Sequence, residues 1–393
     1  MAGTSLKRAN TMPRTRIHYI VNARLPHTRA YGIQIAKMCE AFIEAGVELT
    51  LVVPNTRASQ KEMRAQNGLR VDVPTVILPG LDWYDRGRAA FALASLIFMV
   101  ASFAYLLKEK LRGRLGIVYT VDMDTFSYLL LPILGALCFA EMHSVKRATP
   151  VNRFFFKRAT GIIATNSEIK YALTESFSIP HGRIIVEPNG VDPGQFKALP
   201  PKRDARRKLS LPPGKTMALY VGRFYKWKGL GILADTCKLL PDIDFMVVGG
   251  TREDFQRYAG VSQVPDNLHI AGESAAEMIS TWLAAADVLL VLGTKTNEQS
   301  YRFTAPMKIY EYMAADRPIV ASATPALRSF VGQNEVFWYE PDNAASLNQA
   351  IRLVLSGEGK ENILKRAHAA AAEHTWAKRV SRTIDFMRSC SLL

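Results

Sequence analysis

Apolar residues in the first half of this chain fall in short unbroken runs, set apart by segments where they recur every three or four positions. Arg16–Ala23, rich in Ile, Tyr and Val, reads as a strand. Tyr31–Ala45 reads as a helix, with Ile33, Ala36 and Ile43 at helical spacing and Gly46 as its stop. Val47–Pro54 is a second apolar strand, and Gly116–Val121, Ala136–Ala140, Gly161–Thr165 and Arg183–Glu187 follow. Runs that are apolar throughout are covered on both faces, which predicts a parallel sheet between layers of helix.

Residues 193–212 interrupt the pattern with Pro193, Pro200, Pro201, Pro212 and the charged stretch Lys202–Lys208, and read as an interdomain linker. The alternation then restarts. Strands are expected at Met217–Gly222, Asp244–Gly249, Leu268–Ala271, Val288–Gly293 and Pro318–Ala323, and helices at Gly229–Leu240, Ala275–Ala286 and Pro306–Ala315. Glu361–Leu393 reads as long helix broken near His374-Thr375-Trp376. Two doubly wound α/β halves result, and the 393-residue length gives each enough chain to bury a core.

One apolar run departs from this rhythm. Ala89 to Leu107 carries no charge and is flanked by Arg86, Arg88, Lys108 and Lys110. Its length permits a transmembrane helix. Its Ala and Ser content, and the strand–helix pattern continuing on both sides, favour a buried or membrane-surface helix instead.

Composition adds a basic character, with a formal net charge of +15. Such an excess attracts acidic partners. The basic residues are spread along the chain and no nucleic-acid-binding motif accompanies them, so an anionic membrane face or a phosphate-bearing substrate is expected, and nucleic acid is not. The first fifteen residues form a basic tail without the apolar core of a secretory signal. The four cysteines are widely separated and have no metal-ligand spacing, which fits a reducing compartment and argues against zinc or a disulfide framework.

Candidate chemistry sits at the predicted strand ends. Gly222-Arg223 through Lys228-Gly229 puts a turning glycine and two spaced cations just before a helix, an arrangement suited to a diphosphate or, equally, a basic surface turn. In Pro306-Met307-Lys308-Ile309-Tyr310-Glu311-Tyr312-Met313-Ala314, Glu311 lies near a helix start facing the crevice beyond the sheet, where a carboxylate can accept two hydrogen bonds from a ribose diol. Gly32, near the first helix start, lets a phosphate or sugar approach the backbone. His143, in Glu141-Met142-His143, follows an apolar strand at the edge of the same crevice. Neither dinucleotide nor P-loop glycine motifs occur. Asp122-Met123-Asp124 and Asp242-Ile243-Asp244 are read as a cap and a strand start, not as metal ligands.

Pro188-Asn189-Gly190-Val191-Asp192, Gly222-Arg223…Lys228-Gly229, Pro306…Lys308…Glu311-Tyr312-Met313-Ala314 and Thr375-Trp376…Arg379 occur in an order that resembles glycosyltransferase family 4, the retaining, nucleotide-sugar-dependent enzymes of the GT-B fold. The resemblance implies two Rossmann-like domains facing a central cleft. The tail would be 1–15, the acceptor domain 16–195, the nucleotide-sugar domain 196–375, and a helix at 376–393 would return to the N-terminal domain. It also implies that Arg223 and Lys228 neutralise the departing diphosphate, with Gly222 beside them. Glu311 would hold the ribose, Gly32 lie against the donor phosphates and His143 lie near the donor sugar. No metal or other cofactor is expected.

One departure stands out. Family members often carry a first glutamate eight positions before the second, where this chain has Phe303. Phe303, Thr304 and the nearby Glu298 are therefore the residues expected around the donor sugar. The resulting expectation is a cytoplasmic enzyme, peripheral on the inner membrane face, moving a hexose from a nucleoside-diphosphate sugar to a glycan or lipid-linked acceptor in cell-surface polysaccharide or glycolipid synthesis. The alternatives are a degenerate relative that binds a nucleotide or glycan without turnover, and an epimerase on the same fold.

Overall fold

The computed structural model describes residues 15–121, 124 and 126–391. The expected basic tail, apart from Thr15, and Asp122 of the first acidic triplet lie outside the described residues. Seven strands build the N-terminal sheet: β1 Arg16–Ile20, β2 Glu48–Pro54, β3 Thr75–Leu78, β4 Ile117–Val121, β5 Cys138–Met142, β6 Gly161–Ala164 and β7 Ile184–Val186. Their order is β3-β2-β1-β4-β5-β6-β7, and every pairing is parallel. The C-terminal sheet contains β8 Met217–Val221, β9 Asp244–Val248, β10 Leu268–Ile270, β11 Val288–Val291, β12 Ile319–Ser322 and β13 Phe337–Tyr339, in the order β10-β9-β8-β11-β12-β13, again all parallel. Each sheet has apolar clusters on both faces, as unbroken apolar strands require.

Strand order reverses direction beside β1 in one domain and beside β8 in the other. At such switch points the loops leaving neighbouring strands diverge and open a crevice at the carboxyl ends. The two acid-free turns that follow β1 and β8 therefore lie where ligands bind in open α/β sheets.

Residues 193–212 run between the two sheets as an ordered segment: Pro193–Phe196 is a 3-10 turn and Lys202–Lys208 a helix packed on helix Ala276–Ala285 of the C-terminal domain. Buried Arg206 fixes it by donating to the carbonyls of Ala285 (3.0 Å), Pro213 (2.9 Å) and Lys215 (2.6 Å) and to Asp287 (2.7 Å). A proline-rich composition hid a side chain that satisfies several backbone carbonyls. The strand expected at Ala136–Ala140 sits two residues later, as β5, so Glu141 is part of the strand and not beyond it.

The charge-free run forms helix Arg88–Leu111, long and apolar enough to cross a bilayer. The topology excludes a crossing. A single span would leave β3 and β4 on opposite sides of the membrane, yet both belong to one continuous sheet. The helix is one of the layers covering that sheet, with Phe98 and Leu106 in its core.

The chain ends as expected of a crossover. Helix Lys360–Glu373 packs on helix Lys308–Ala314, the backbone breaks at His374, and helix Trp376–Ser391 packs against helix Ala30–Glu44 of the N-terminal domain. Trp376, Val380, Ile384, Phe386 and Met387 complete the N-terminal core.

Candidate active site

The C-terminal wall of the cleft begins at β8. Gly222 has φ 149°, a conformation side chains rarely adopt, and its neighbour Gly249 has φ 137° at the end of β9. A Cβ on Gly249 would lie 2.3 Å from the Gly222 carbonyl oxygen, so the two loops meet backbone to backbone. Beyond them Lys226–Lys228 makes one 3-10 turn, ended by Gly229 in the left-handed region, and helix Gly231–Leu239 follows.

Helix Lys308–Ala314 is pinned to the same strand end. Lys308 Nζ donates to the Val221 carbonyl at 3.2 Å and lies 3.9 Å from the Tyr220 ring centroid. The Tyr312 hydroxyl accepts from Val221 N–H at 3.1 Å. Glu311, three residues from Lys308, shares its face of the helix. No side-chain hydrogen bond engages its carboxylate among the described residues.

The charges in this corner are unbalanced. Lys228, whose ammonium lies 3.8 Å from the Trp227 ring, is pushed by burial down to about 8. Lys308 is held well below the ordinary lysine range by burial and then by the neighbouring Lys228 charge, with Glu311 opposing. Burial raises the Glu311 carboxyl while Lys308 lowers it. Two repelling ammonium groups and one unengaged carboxylate in a shielded corner form a site that an anion with an attached diol would complete. Arg223 stands at its mouth, exposed, with Glu273 3.8 Å away.

The N-terminal wall centres on Glu141, fully buried at the end of β5. Its Oε1 accepts from Gln34 Nε2 (2.7 Å), His143 Nε2 (2.7 Å) and Arg379 Nη2 (2.8 Å), and its Oε2 accepts from the Tyr119 hydroxyl and Arg379 Nη1 (3.2 Å). Burial alone would raise this carboxyl; Arg379 and the His143 hydrogen bond hold it well below the usual range. The His143 ring is thereby oriented by a fixed carboxylate. Across the cleft, His27 lies within reach of the Arg223 charge, and burial together with Arg29, Arg223 and Arg24 lowers its pKa. Gly32 supports that loop: a Cβ there would sit 2.3 Å from the His27 carbonyl oxygen.

A seam joins the two walls. Gln299 donates to the His143 carbonyl (3.4 Å), Asn166 to the carbonyls of Arg302 (3.2 Å) and Thr304 (3.4 Å), and Asn189 to that of Ala305 (2.7 Å). Arg302 pairs with Glu168 at 2.9 Å. The segment leading into the Lys308–Glu311 helix is therefore held from the N-terminal side.

Among the expected site residues, Gly222, Lys228 and Glu311 gather in one corner with Arg223 at its rim, and His143 and Gly32 lie on the opposite wall. Thr304 joins the seam. Phe303 is buried, packed with the N-terminal apolar cluster that includes Phe155 and Phe156. Glu298 is largely exposed, 3.8 Å from Arg302. Asp244 opens β9 and touches Lys215, while Asp124 accepts from Phe126 N–H as a cap does. Among the described residues no three His, Cys, Asp or Glu side chains are grouped to share a metal.

Sequence reasoning gave no role to Lys308, Glu141, Arg379 or Asn189. Lys308 had a usable signal, since its spacing to Glu311 puts both on one helix face. The Glu141–Arg379 pair joins positions 238 residues apart and had none.

Two family profiles match consecutive parts of the chain, one described as Glycosyltransferase Family 4 over residues 32–195, the other as Glycosyl transferases group 1 over 201–373. A D-inositol 3-phosphate glycosyltransferase of Nocardiopsis dassonvillei is 25% identical over 257 residues, which span 60% of this chain and 57% of that protein. The enzyme of the same name from Pseudarthrobacter chlorophenolicus is 23% identical over 90% of this chain and 89% of its own length. Among solved structures, a glycosyltransferase from Rickettsia africae superposes with TM-score 0.76 at 15% identity, covering 97% of this chain and 99% of that one. Anabaena HepE, solved in complex with UDP and glucose, superposes with TM-score 0.70 at 15% identity, covering 96% and 100%. These structural likenesses establish the GT-B fold.

Proposed function

The chain belongs to glycosyltransferase family 4, and from that premise we propose that it transfers a sugar, with retention, from a nucleoside-diphosphate sugar to a glycan or lipid-linked acceptor. The observation that carries this is the corner formed by Lys228, Lys308 and Glu311, where two partly buried ammonium groups repel each other beside an unengaged carboxylate. A nucleoside diphosphate supplies what is missing: phosphate oxygens for the cations and a ribose diol for Glu311. The complex of HepE with UDP and glucose supports a donor of this kind on this fold.

In the proposed step the acceptor hydroxyl oxygen bonds to the anomeric carbon on the face from which the diphosphate leaves. The bond between that carbon and the phosphate oxygen breaks, and its electron pair departs with the nucleoside diphosphate. The acceptor proton passes to the departing phosphate oxygen. Negative charge grows on the diphosphate as it leaves, so Arg223 and Lys228 stabilise the transition state more than the ground state. His143, oriented by Glu141, lines the sugar side. These cations take the role a divalent ion would fill, and no metal requirement is proposed. We place the enzyme in the cytoplasm, working at the inner membrane face in cell-surface polysaccharide or glycolipid synthesis.

The test is a thermal-shift panel of UDP, GDP and their common sugar conjugates, followed by incubation and measurement of nucleotide release. Selective stabilisation by one nucleotide and slow release from its sugar conjugate are expected. Stabilisation by none would overturn the donor assignment. One observation favours a second reading, binding without turnover: Phe303 is a core residue where relatives often place an acid. That reading predicts stabilisation with no release.

A further inference from the structure

Helix Arg88–Leu111 is apolar on two sides. The side facing the domain buries Phe98, Met99 and Leu106 together with three polar groups: Ser95, which accepts from Asn22 at 3.3 Å, Ser102, and Glu109, which pairs with Arg114 at 2.9 Å. The side facing away is apolar. Leu93 (44% exposed), Leu96 (40%), Val100 (55%), Leu107 and Leu111 (81%) follow one another at three-, four- and seven-residue intervals, with Ala89 exposed before them and Ala104 exposed among them. A helix of this length runs about 36 Å, so the stripe spans much of the N-terminal domain. Ile133, on a turn that packs against the same helix, is 53% exposed and widens the patch.

Charge surrounds this surface asymmetrically. Between residues 85 and 121 there are six basic residues and two acids, the buried Glu109 and Asp85, which pairs with Arg24. Arg86 and Arg88 stand at one end of the stripe and Lys108 at the other, all exposed. Residues 142–167 add five basic residues and no acid, and their helix Pro150–Arg158 packs on the same turn as helix Arg88–Leu111.

We propose that the outward face of helix Arg88–Leu111 docks the N-terminal domain on an anionic lipid bilayer, lying in the interface without crossing it. An apolar stripe with cationic ends is the pattern of an interfacial helix: leucines enter the acyl boundary while lysine and arginine meet the headgroups. A second copy of the chain is a poorer occupant. Two copies related by a two-fold axis bring basic ends against basic ends, whether the stripes run parallel or antiparallel. Crossing is excluded because β3 and β4 share one sheet. The surface lies apart from the donor corner, so this inference does not depend on that assignment.

The experiment is co-sedimentation of the full chain with phosphatidylcholine vesicles, with and without phosphatidylglycerol. The wild type is expected to bind the anionic vesicles about tenfold or more better than the neutral ones, and to be released by salt. The double variant Leu96→Glu, Val100→Glu, both positions exposed, should lose that binding, and Arg88→Glu with Lys108→Glu should reduce it about tenfold. Unchanged circular dichroism and unchanged nucleotide-induced stabilisation in each variant show that the fold and donor corner persist. Equal sedimentation with neutral and anionic vesicles, or undiminished binding by the Leu96→Glu, Val100→Glu variant, would overturn the proposal. So would a wild-type dimer, by light scattering, that this variant converts to a monomer.

Discussion

Lys228 and Lys308 are placed where an ammonium group is costly. For Lys228 the drop from 10.5 to about 8 corresponds to a cost on the order of 3 kcal/mol, borne by the unliganded fold at neutral pH. Lys228→Met should therefore raise the melting temperature of the free protein while abolishing the stabilisation that nucleotide provides. A lower melting temperature would show that the ammonium group is not strained. The pH dependence follows in sign. Free Lys228 loses its proton as pH rises through about 8, so donor affinity should fall above pH 8, by up to about tenfold per unit, and hold steady below it. Lys228→Arg should flatten that fall, because a guanidinium stays charged. Calorimetric titration of nucleotide between pH 6.5 and 9.5 measures both.

At the scale of elements, the crossover is a latch with two parts. Gly190 has no room for a side chain, since a Cβ would lie 2.7 Å from the Trp376 ring, and Val191 pairs with the backbone around Thr375. Arg379 then donates to the Pro188 carbonyl at 2.7 Å while it pairs with Glu141. Glu141→Gln leaves a buried guanidinium uncompensated and should cost about 3–5 kcal/mol, read by denaturant unfolding; a loss under 1 kcal/mol would contradict the latch. The acid limb has a definite direction. A depressed carboxyl stabilises the fold above its unfolded value of about 4.3, and that contribution is lost as pH falls below it. The wild type should therefore lose stability below pH 4 more steeply than Glu141→Gln.

This latch also explains what was legible beforehand. The strands were visible because doubly buried parallel strands are apolar throughout, and the motifs because each is contiguous. Edge strand β3, with alternating exposure over four residues, and edge strand β13, only three residues long, give no such run. Helix Lys202–Lys208 is not legible as a packed element because what seats it on the C-terminal domain, the bonds of Arg206 to the Ala285 carbonyl and to Asp287, reaches 79 and 81 residues along the chain. The Asn-Gly of 189–190, weak as a turn signal, is fixed by Ala305 on one side and Trp376 on the other, both beyond local reach.

At the scale of the whole molecule, the two walls each hold half of a site. The proposed donor corner belongs to the C-terminal sheet and His143 to the N-terminal one, and the 299–305 segment that leads into the Lys308–Ala314 helix is bonded to the N-terminal side. Transfer needs both halves in register, so weakening the seam should lower turnover more than donor binding. Asn189→Ala, which removes the 2.7 Å bond to Ala305, tests this through the ratio of kcat to KM effects. The measurement that bears most directly on the central claim is kcat/KM for transfer, with the donor that the nucleotide panel selects, in Arg223→Ala and Lys228→Ala. A loss of about a hundredfold or more in each, with circular dichroism unchanged, is the predicted result. Full activity in both variants would contradict it.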